Sequence, residues 1–183
     1  MFVLGIDPGL SRCGYGCVTR QGDSYRAVAA GVLTTDPNMD LPARLALLAA
    51  DLADLIAEFK PAAVVIERVF FQTNVRTAMS VGQASGLALA AASSAGCEVV
   101  QYTSNEIKLA VAGYGAADKE QVGDMVMGLL ALDQRPHPPD AADALALALC
   151  HLSTQRGRQR ITDALARTGE RGSAGPRLTK AGT

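Results

Sequence analysis

The 183-residue chain has few cysteines and histidines and no long apolar run, and each shortage argues against a class of protein. Its four cysteines lack C-x-x-C spacing, which favours buried reduced thiols over disulfides or a metal site. No stretch approaches the roughly 18 consecutive apolar residues of a membrane span. An apolar segment begins at residue 2, leaving no room for a basic leader and a cleavage site, so we expect a cytoplasmic protein.

Charge is distributed unevenly along the sequence. Residues 1–152 carry a net charge of −6, whereas residues 153–183 carry +5. The acidic part argues against a simple basic groove for nucleic acid, unless several acids are gathered where divalent cations would cancel them. The segment 153–183 is rich in Gly, Arg and Thr without apolar periodicity, which predicts disorder. We therefore predict one domain over residues 1–152 and a basic, disordered tail over residues 153–183.

Two predicted buried strands each end on a carboxylate. Residues 2–7 (FVLGID) end at Asp7, where the following Pro-Gly pair stops the strand. Residues 62–67 (AAVVIE) end at Glu67. Adjacent parallel strands finish at the same edge of a sheet, so these two carboxylates converge if their strands are neighbours. Taken alone, Asp7 is equally well interpreted as a turn-capping residue.

A third acidic position is a pair, Asp140 and Asp143, at the start of a predicted helix. Their i, i+3 spacing places both on one helix face, and the helix N-terminus offsets part of their repulsion. One of the two could serve only to start the helix. Four hard oxygen ligands with no His or Cys at ligand spacing favour Mg²⁺ or Mn²⁺ over zinc. Two such ions about 4 Å apart suit in-line attack on a phosphodiester.

Three sequence blocks resemble the signature blocks of the RuvC family, the bacterial Holliday-junction resolvases. They are residues 5–9 with 14–16 (GIDPG, GYG), residues 66–70 (IERVF) and residues 140–146 (DAADALA). The resemblance implies an α/β fold of the RNase H-like class, with a five-stranded mixed sheet flanked by helices. It also implies a homodimer that nicks opposing strands of four-way junction DNA with two Mg²⁺ or Mn²⁺ ions per active site. The RuvA–RuvB branch-migration complex is the further partner that it implies.

The resemblance also suggests roles for individual residues. It implies that Asp7, Glu67, Asp140 and Asp143 form the metal-binding catalytic set. Lys108 and Lys119 match the two basic residues near the scissile phosphate, where a cation stabilises charge on the phosphoryl oxygens. Either lysine could instead be an ordinary exposed helix residue.

The predicted loop after Glu67 carries candidate DNA contacts. Phe70 stands where the family has an aromatic residue, which would stack on or wedge between bases. On an extended segment Phe70 and Phe71 point opposite ways, so one anchors the loop and the other is free, unless both are core residues. Asn74 and Arg76 are natural phosphate contacts from the same loop.

Two weaker signals complete the set of candidates. The predicted helix over residues 77–95 has small residues around Gly82 and Gly86, which suits either a dimer seam or tight packing on the sheet. In the family this helix contributes to the dimer interface, and we adopt that interpretation. His137 precedes Asp140 by three residues and could approach the metals, although a Pro-rich loop favours a structural or solvated role.

Three other classes of protein share parts of this pattern. A YqgF-type nuclease acting on RNA also has a first strand ending in Asp, but the Pro8-Gly9 turn and the DAADALA block favour a resolvase. An actin-like ATPase or sugar kinase needs a second domain and a second phosphate loop. A junction-binding module without catalysis would gain nothing from four acids on its DNA-binding face.

Overall fold

The computed structural model describes residues 2–68 and 75–172, without the side chains of residues 75–77, 160, 163–164 and 166–172. After an initial run of three strands, helices and strands alternate up to the fifth strand, and three consecutive helices follow. In chain order the elements are β1 (Phe2–Asp7), β2 (Arg12–Gln21), β3 (Ser24–Thr34), α1 (Leu41–Phe59), β4 (Ala63–Glu67), α2 (Val75–Ser94), β5 (Glu98–Tyr102), α3 (Ser104–Ala112), α4 (Lys119–Leu129) and α5 (Pro139–Gly172).

The strands form one mixed sheet in the order β3-β2-β1-β4-β5. The first three strands are an antiparallel meander, while β1 pairs in parallel with β4 and β4 with β5. The predicted five-stranded mixed sheet is therefore confirmed. The pairing of Ile6 with Ile66 ends β1 and β4 at the same edge, so Asp7 and Glu67 are neighbours there, as predicted.

Helices cover both faces of the sheet. On one face α1 and α2 pack against Leu4 and Ile6 of β1. On the other face α3, α4 and α5 pack against Val3 of β1 and Val65 of β4. Because side chains alternate along a strand, residues 7 and 67 point to the same side as residues 3 and 65. The two strand-end carboxylates therefore project toward α5.

Glycines in β1 and β2 allow α5 to lie directly on the sheet backbone. A Cβ on Gly5 would lie 2.0 Å from the carbonyl oxygen of Ala144, and one on Gly14 would lie 2.1 Å from that of Asp140. A Cβ on Gly16 would meet the backbone nitrogen of Leu145 at 2.7 Å. No larger residue fits at these positions without moving the helix. The glycines thus set how close the first turns of α5 come to the end of β1.

Helix α5 continues well past residue 152, which differs from the predicted disordered tail. Its residues up to Gly172 are helical, and residues 173–183 lie outside the described part of the chain. Arg156 binds the side chain of Asp23 and donates through Nη1 to its carbonyl oxygen at 3.3 Å. These contacts tie this part of the helix to the β2–β3 turn. None of the described helices is long and apolar enough to cross a membrane.

Candidate active site

Five of the residues singled out in the sequence line one cavity of about 180 Å³ at the sheet edge where β1 and β4 end. Three are the carboxylates Asp7, Glu67 and Asp143, and two are the lysines Lys108 and Lys119. The other lining residues are Ser104, Ile107, Val122, Ala146 and Leu147. We call this space the active-site cavity.

Each charged side chain of the cavity is held by a regular element. Helix α3 begins with a capping box in which Thr103 and Glu106 satisfy each other's backbone N–H groups, and Lys108 follows within the helix. Helix α4 begins with a second capping box, and Lys119 is its first residue. Asp143 lies in the first turns of α5, next to the glycine-lined sheet. Rigid elements of this kind are suited to hold a catalytic arrangement.

The carboxylates of the cavity destabilise one another's charged forms. Burial, reinforced by Asp143 and then by Glu67, raises the pKa of Asp7 from 3.8 to about 7. Burial, followed by the charge of Asp143, also raises the pKa of Glu67. A cation placed among these groups would relieve both effects, since it favours the ionised carboxylates.

The two acids of α5 are each bound by a basic side chain. Lys119 donates through Nζ to Asp143 Oδ2 at 2.9 Å, and this hydrogen bond raises the pKa of Lys119. Arg12 donates through Nε and Nη2 to Asp140 Oδ2 at 3.1 and 2.7 Å. The bond from Arg12 lowers the pKa of Asp140. Asp140 therefore faces Arg12, and it is not among the residues that line the active-site cavity.

Arg12 is the residue of this site that the sequence did not reveal. It begins β2, two residues before Gly14, whose missing Cβ lets the backbone of Asp140 come close. The two partners are 128 positions apart, so no local pattern joins them. The available signal is the pair of glycines at 14 and 16, because glycine within a strand often marks a close backbone approach.

A hydrogen-bonded network fixes the turn between Asp7 and Arg12. The buried Thr35 donates through Oγ1 to the carbonyl oxygen of Leu10 at 2.6 Å. Arg44, in the first turn of α1, donates to Thr35 Oγ1 at 3.0 Å and to Ser11 Oγ at 2.7 Å. Neighbouring elements thus hold the end of β1 and the start of β2 in place.

The donor chemistry of the site matches a hard divalent cation. The charged ligand groups of the cavity are carboxylates, and no His or Cys is among the described residues that line it. Within residues 2–68 and 75–172, however, no three acidic, histidine or cysteine side chains are grouped closely enough to hold one ion. Two of the four candidate carboxylates are occupied by Arg12 and Lys119 instead.

The structure says less about the other residues that the sequence singled out. Phe70 and Asn74 lie outside the described residues, and Arg76 is within α2 but its side chain is not described. His137 is exposed on the loop before α5. On α2, Gly82 and Gly86 are exposed, and a Cβ on either would meet nothing within 4 Å among the described atoms.

Known proteins resemble this chain over most of its length. The family model of crossover junction endodeoxyribonuclease RuvC matches residues 3–151. The crossover junction endodeoxyribonuclease RuvC of Salinispora arenicola is 50% identical, over 90% of this chain and 94% of its own. That of Rubrobacter xylanophilus is 48% identical, over 84% of this chain and 86% of its own.

A solved structure is similar over nearly the same span. The Thermus thermophilus RuvC in complex with Holliday junction substrate is 39% identical, with a TM-score of 0.81 over 85% of this chain and 95% of that one. The family resemblance inferred from three short blocks is thereby confirmed across the domain. The chain belongs to the RuvC family of crossover junction endodeoxyribonucleases.

Proposed function

We propose that this protein resolves four-way DNA junctions by symmetric nicks in two opposing strands, one made by each subunit of a homodimer. The observation that carries the proposal is the convergence of three carboxylates and two lysines on one cavity at the sheet edge. The Thermus thermophilus relative, whose structure is a complex with Holliday junction substrate, supports the choice of DNA structure.

Members of this family are divalent-metal nucleases, and we assign two Mg²⁺ or Mn²⁺ ions to each active site. Asp7, Glu67, Asp140 and Asp143 are the residues that would hold them. When bound, such a pair supplies an activated water and stabilises charge on the leaving oxygen. Support for Asp7, Glu67 and Asp143 as ligands comes from their convergence on one cavity, where repulsion between carboxylates adds to burial in raising the pKa values of Asp7 and Glu67.

The lysines act on the substrate in this proposal. Lys119 lies 2.9 Å from Asp143, so its ammonium group is beside the carboxylates where the scissile phosphate would be drawn. The side chain of Lys119 is 80% exposed and therefore accessible to DNA. Lys108 lines the same cavity from α3. A positioned cation next to a transferring phosphoryl group stabilises the charge that develops there.

Substrate and partner contacts are assigned from the sequence. Phe70 would stack on a base at the junction, and Asn74 and Arg76 would bind backbone phosphates. We assign the dimer interface to α2, where Met79, Gly82 and Gly86 are exposed and lie at helical spacing. The RuvA–RuvB branch-migration complex is the proposed partner that would deliver the junction.

The test compares a labelled four-way junction with a linear duplex of matched sequence, each with and without Mg²⁺. We expect paired symmetric nicks in the junction alone, and only with the metal. Asp7→Asn should abolish cleavage while keeping junction binding or tightening it, because it removes negative charge from the DNA-binding face. Loss of the fold or of junction binding in Asp7→Asn would show that Asp7 is structural and that the site is misplaced.

A further inference from the structure

Arg12 makes a two-donor contact with a carboxylate that the proposed function assigns to metal binding. Both of its hydrogen bonds go to the same oxygen, Oδ2 of Asp140, at 3.1 and 2.7 Å. The side chain of Arg12 is 49% exposed and that of Asp140 is 26% exposed, so the pair is open to solvent. Neither belongs to the residues that line the active-site cavity.

We propose that Arg12 is a built-in counterion that occupies Asp140 in the metal-free protein and is displaced when a divalent cation binds. The inference rests on the proposed function, in which Asp140 is a metal ligand. Arg12 would then set the affinity of the site for the ion without touching the ion or the substrate. It is a positioning residue that acts through Asp140.

Arg12 and a metal ion would compete for one carboxylate oxygen, Oδ2 of Asp140. An arginine cannot be deprotonated in a protein, so Arg12 keeps its charge at any working pH and leaves Asp140 only for a stronger partner. A divalent cation is such a partner where several carboxylates face it. Asp7, Glu67 and Asp143 already line the neighbouring cavity, and they gain from the same ion.

Packing holds the backbone in place on both sides of the Arg12–Asp140 pair. Gly14 brings the backbone of Asp140 against β2, so the first turn of α5 is fixed relative to the sheet. The turn that carries Arg12 is held by the bonds from Arg44 and Thr35. The exchange that we propose is a rotation of these two partly exposed side chains, which would pass Asp140 from Arg12 to the ion.

The test is calorimetric titration of the metal-free, DNA-free protein with Mn²⁺. We compare wild type, Arg12→Gln, Asp140→Asn and the double variant, with Lys108→Gln as a matched control. Lys108 lines the cavity and adds positive charge there, but none of the salt bridges among the described residues includes it. Thermal unfolding checks that each variant folds, and Arg12→Met repeats the substitution with a different side chain.

We expect Arg12→Gln to bind Mn²⁺ about threefold to tenfold more tightly than wild type, since a partly exposed ion pair and a nearby repulsive charge are both removed. This gain in Mn²⁺ affinity should exceed the gain from Lys108→Gln. When Asp140→Asn is already present, Arg12→Gln should raise the affinity no more than Lys108→Gln does.

The outcomes separate this inference from the function on which it rests. If Asp140→Asn weakens Mn²⁺ binding but Arg12→Gln leaves it unchanged or weaker, Asp140 is a ligand and Arg12 does not compete for it. If Arg12→Gln raises the affinity for Mn²⁺ no more than Lys108→Gln does, the effect comes from the loss of a nearby positive charge alone and the inference fails. If Asp140→Asn binds Mn²⁺ as wild type does, the proposed ligand set itself is wrong.

Discussion

The close approach of α5 to β2 gives a sharp prediction for Gly14→Ala. The new Cβ would lie 2.1 Å from the carbonyl oxygen of Asp140. Because a Cβ is essentially never found closer than 3.0 Å to a non-bonded heavy atom, the helix and strand would have to separate by about 0.9 Å. Overpacking of this kind costs about 1–3 kcal/mol of unfolding free energy. For a chain of this size that lowers the melting temperature by about 2–12 °C.

The same displacement should affect catalysis more than it affects stability. The atoms pushed apart belong to Asp140, one of the four proposed ligands. A misplacement near 1 Å in a catalytic arrangement can reduce the rate about 100-fold. We therefore expect kcat/KM of Gly14→Ala for junction cleavage to fall by about tenfold to 100-fold at 25 °C, where the variant remains folded.

Gly128→Ala is the matched control for this substitution. Gly128 lies in α4, where an added Cβ meets nothing within 4 Å among the described atoms. Alanine there should leave the melting temperature unchanged or raise it slightly, because it favours the helix by about 0.5–1 kcal/mol. Cleavage should be unaffected. A Gly14→Ala protein that melts and cleaves like wild type would refute the argument that bare backbone at position 14 seats the helix.

Three further predictions concern the dimer, the loop after β4 and the pH dependence of stability. Gly86→Leu should weaken the dimer by about 1–3 kcal/mol through overpacking at the proposed seam, and a sedimentation profile identical to wild type would place the interface elsewhere. Phe70→Ala should slow cleavage of a fully paired junction, since a stacked base is worth about 1–3 kcal/mol. On a junction with mismatches at the crossover the variant should cleave at close to the wild-type rate, because the mismatched bases cost little to open. Equal losses of cleavage on both substrates would contradict a wedge role for Phe70. The metal-free protein should lose stability as the pH rises from about 4 to about 7, because folded Asp7 keeps a proton up to about pH 7 that the unfolded chain releases near pH 3.8. Urea midpoints measured across that window should fall in wild type, and Asp7→Asn should remove most of the slope.

The strand ends were predictable from the sequence because their signals are local. An apolar run that stops on a carboxylate followed by Pro8-Gly9 identifies the end of β1, and the run before Glu67 identifies the end of β4. The sequence predicted that the two carboxylates meet only if their strands are parallel neighbours. The pairing of β1 with β4 meets that condition. The predicted roles of individual residues, and the domain limit at residue 152, remain predictions.

The Arg12–Asp140 pair was beyond sequence reasoning because it depends on packing between distant segments. The charges of the two residues were visible, but their contact requires α5 to lie across β2 at the distance that Gly14 and Gly16 permit. For residues 153–172 the prediction of a tail rested on charge and on the lack of apolar periodicity. The structure has helix there, and composition gave no sign of the contact between Arg156 and Asp23.

The proposed acids are attached to the most protected parts of the molecule. Strands β1 and β4 are paired on both sides, and the helix that carries Asp140 and Asp143 is buried without interruption from Ala144 to Leu152. Amide hydrogens in these segments should exchange with solvent only on global unfolding, whereas edge strand β5 and the end of α5 open first. The cleavage machinery therefore belongs to the last cooperative unit to open, and heating should end activity and fold in a single transition.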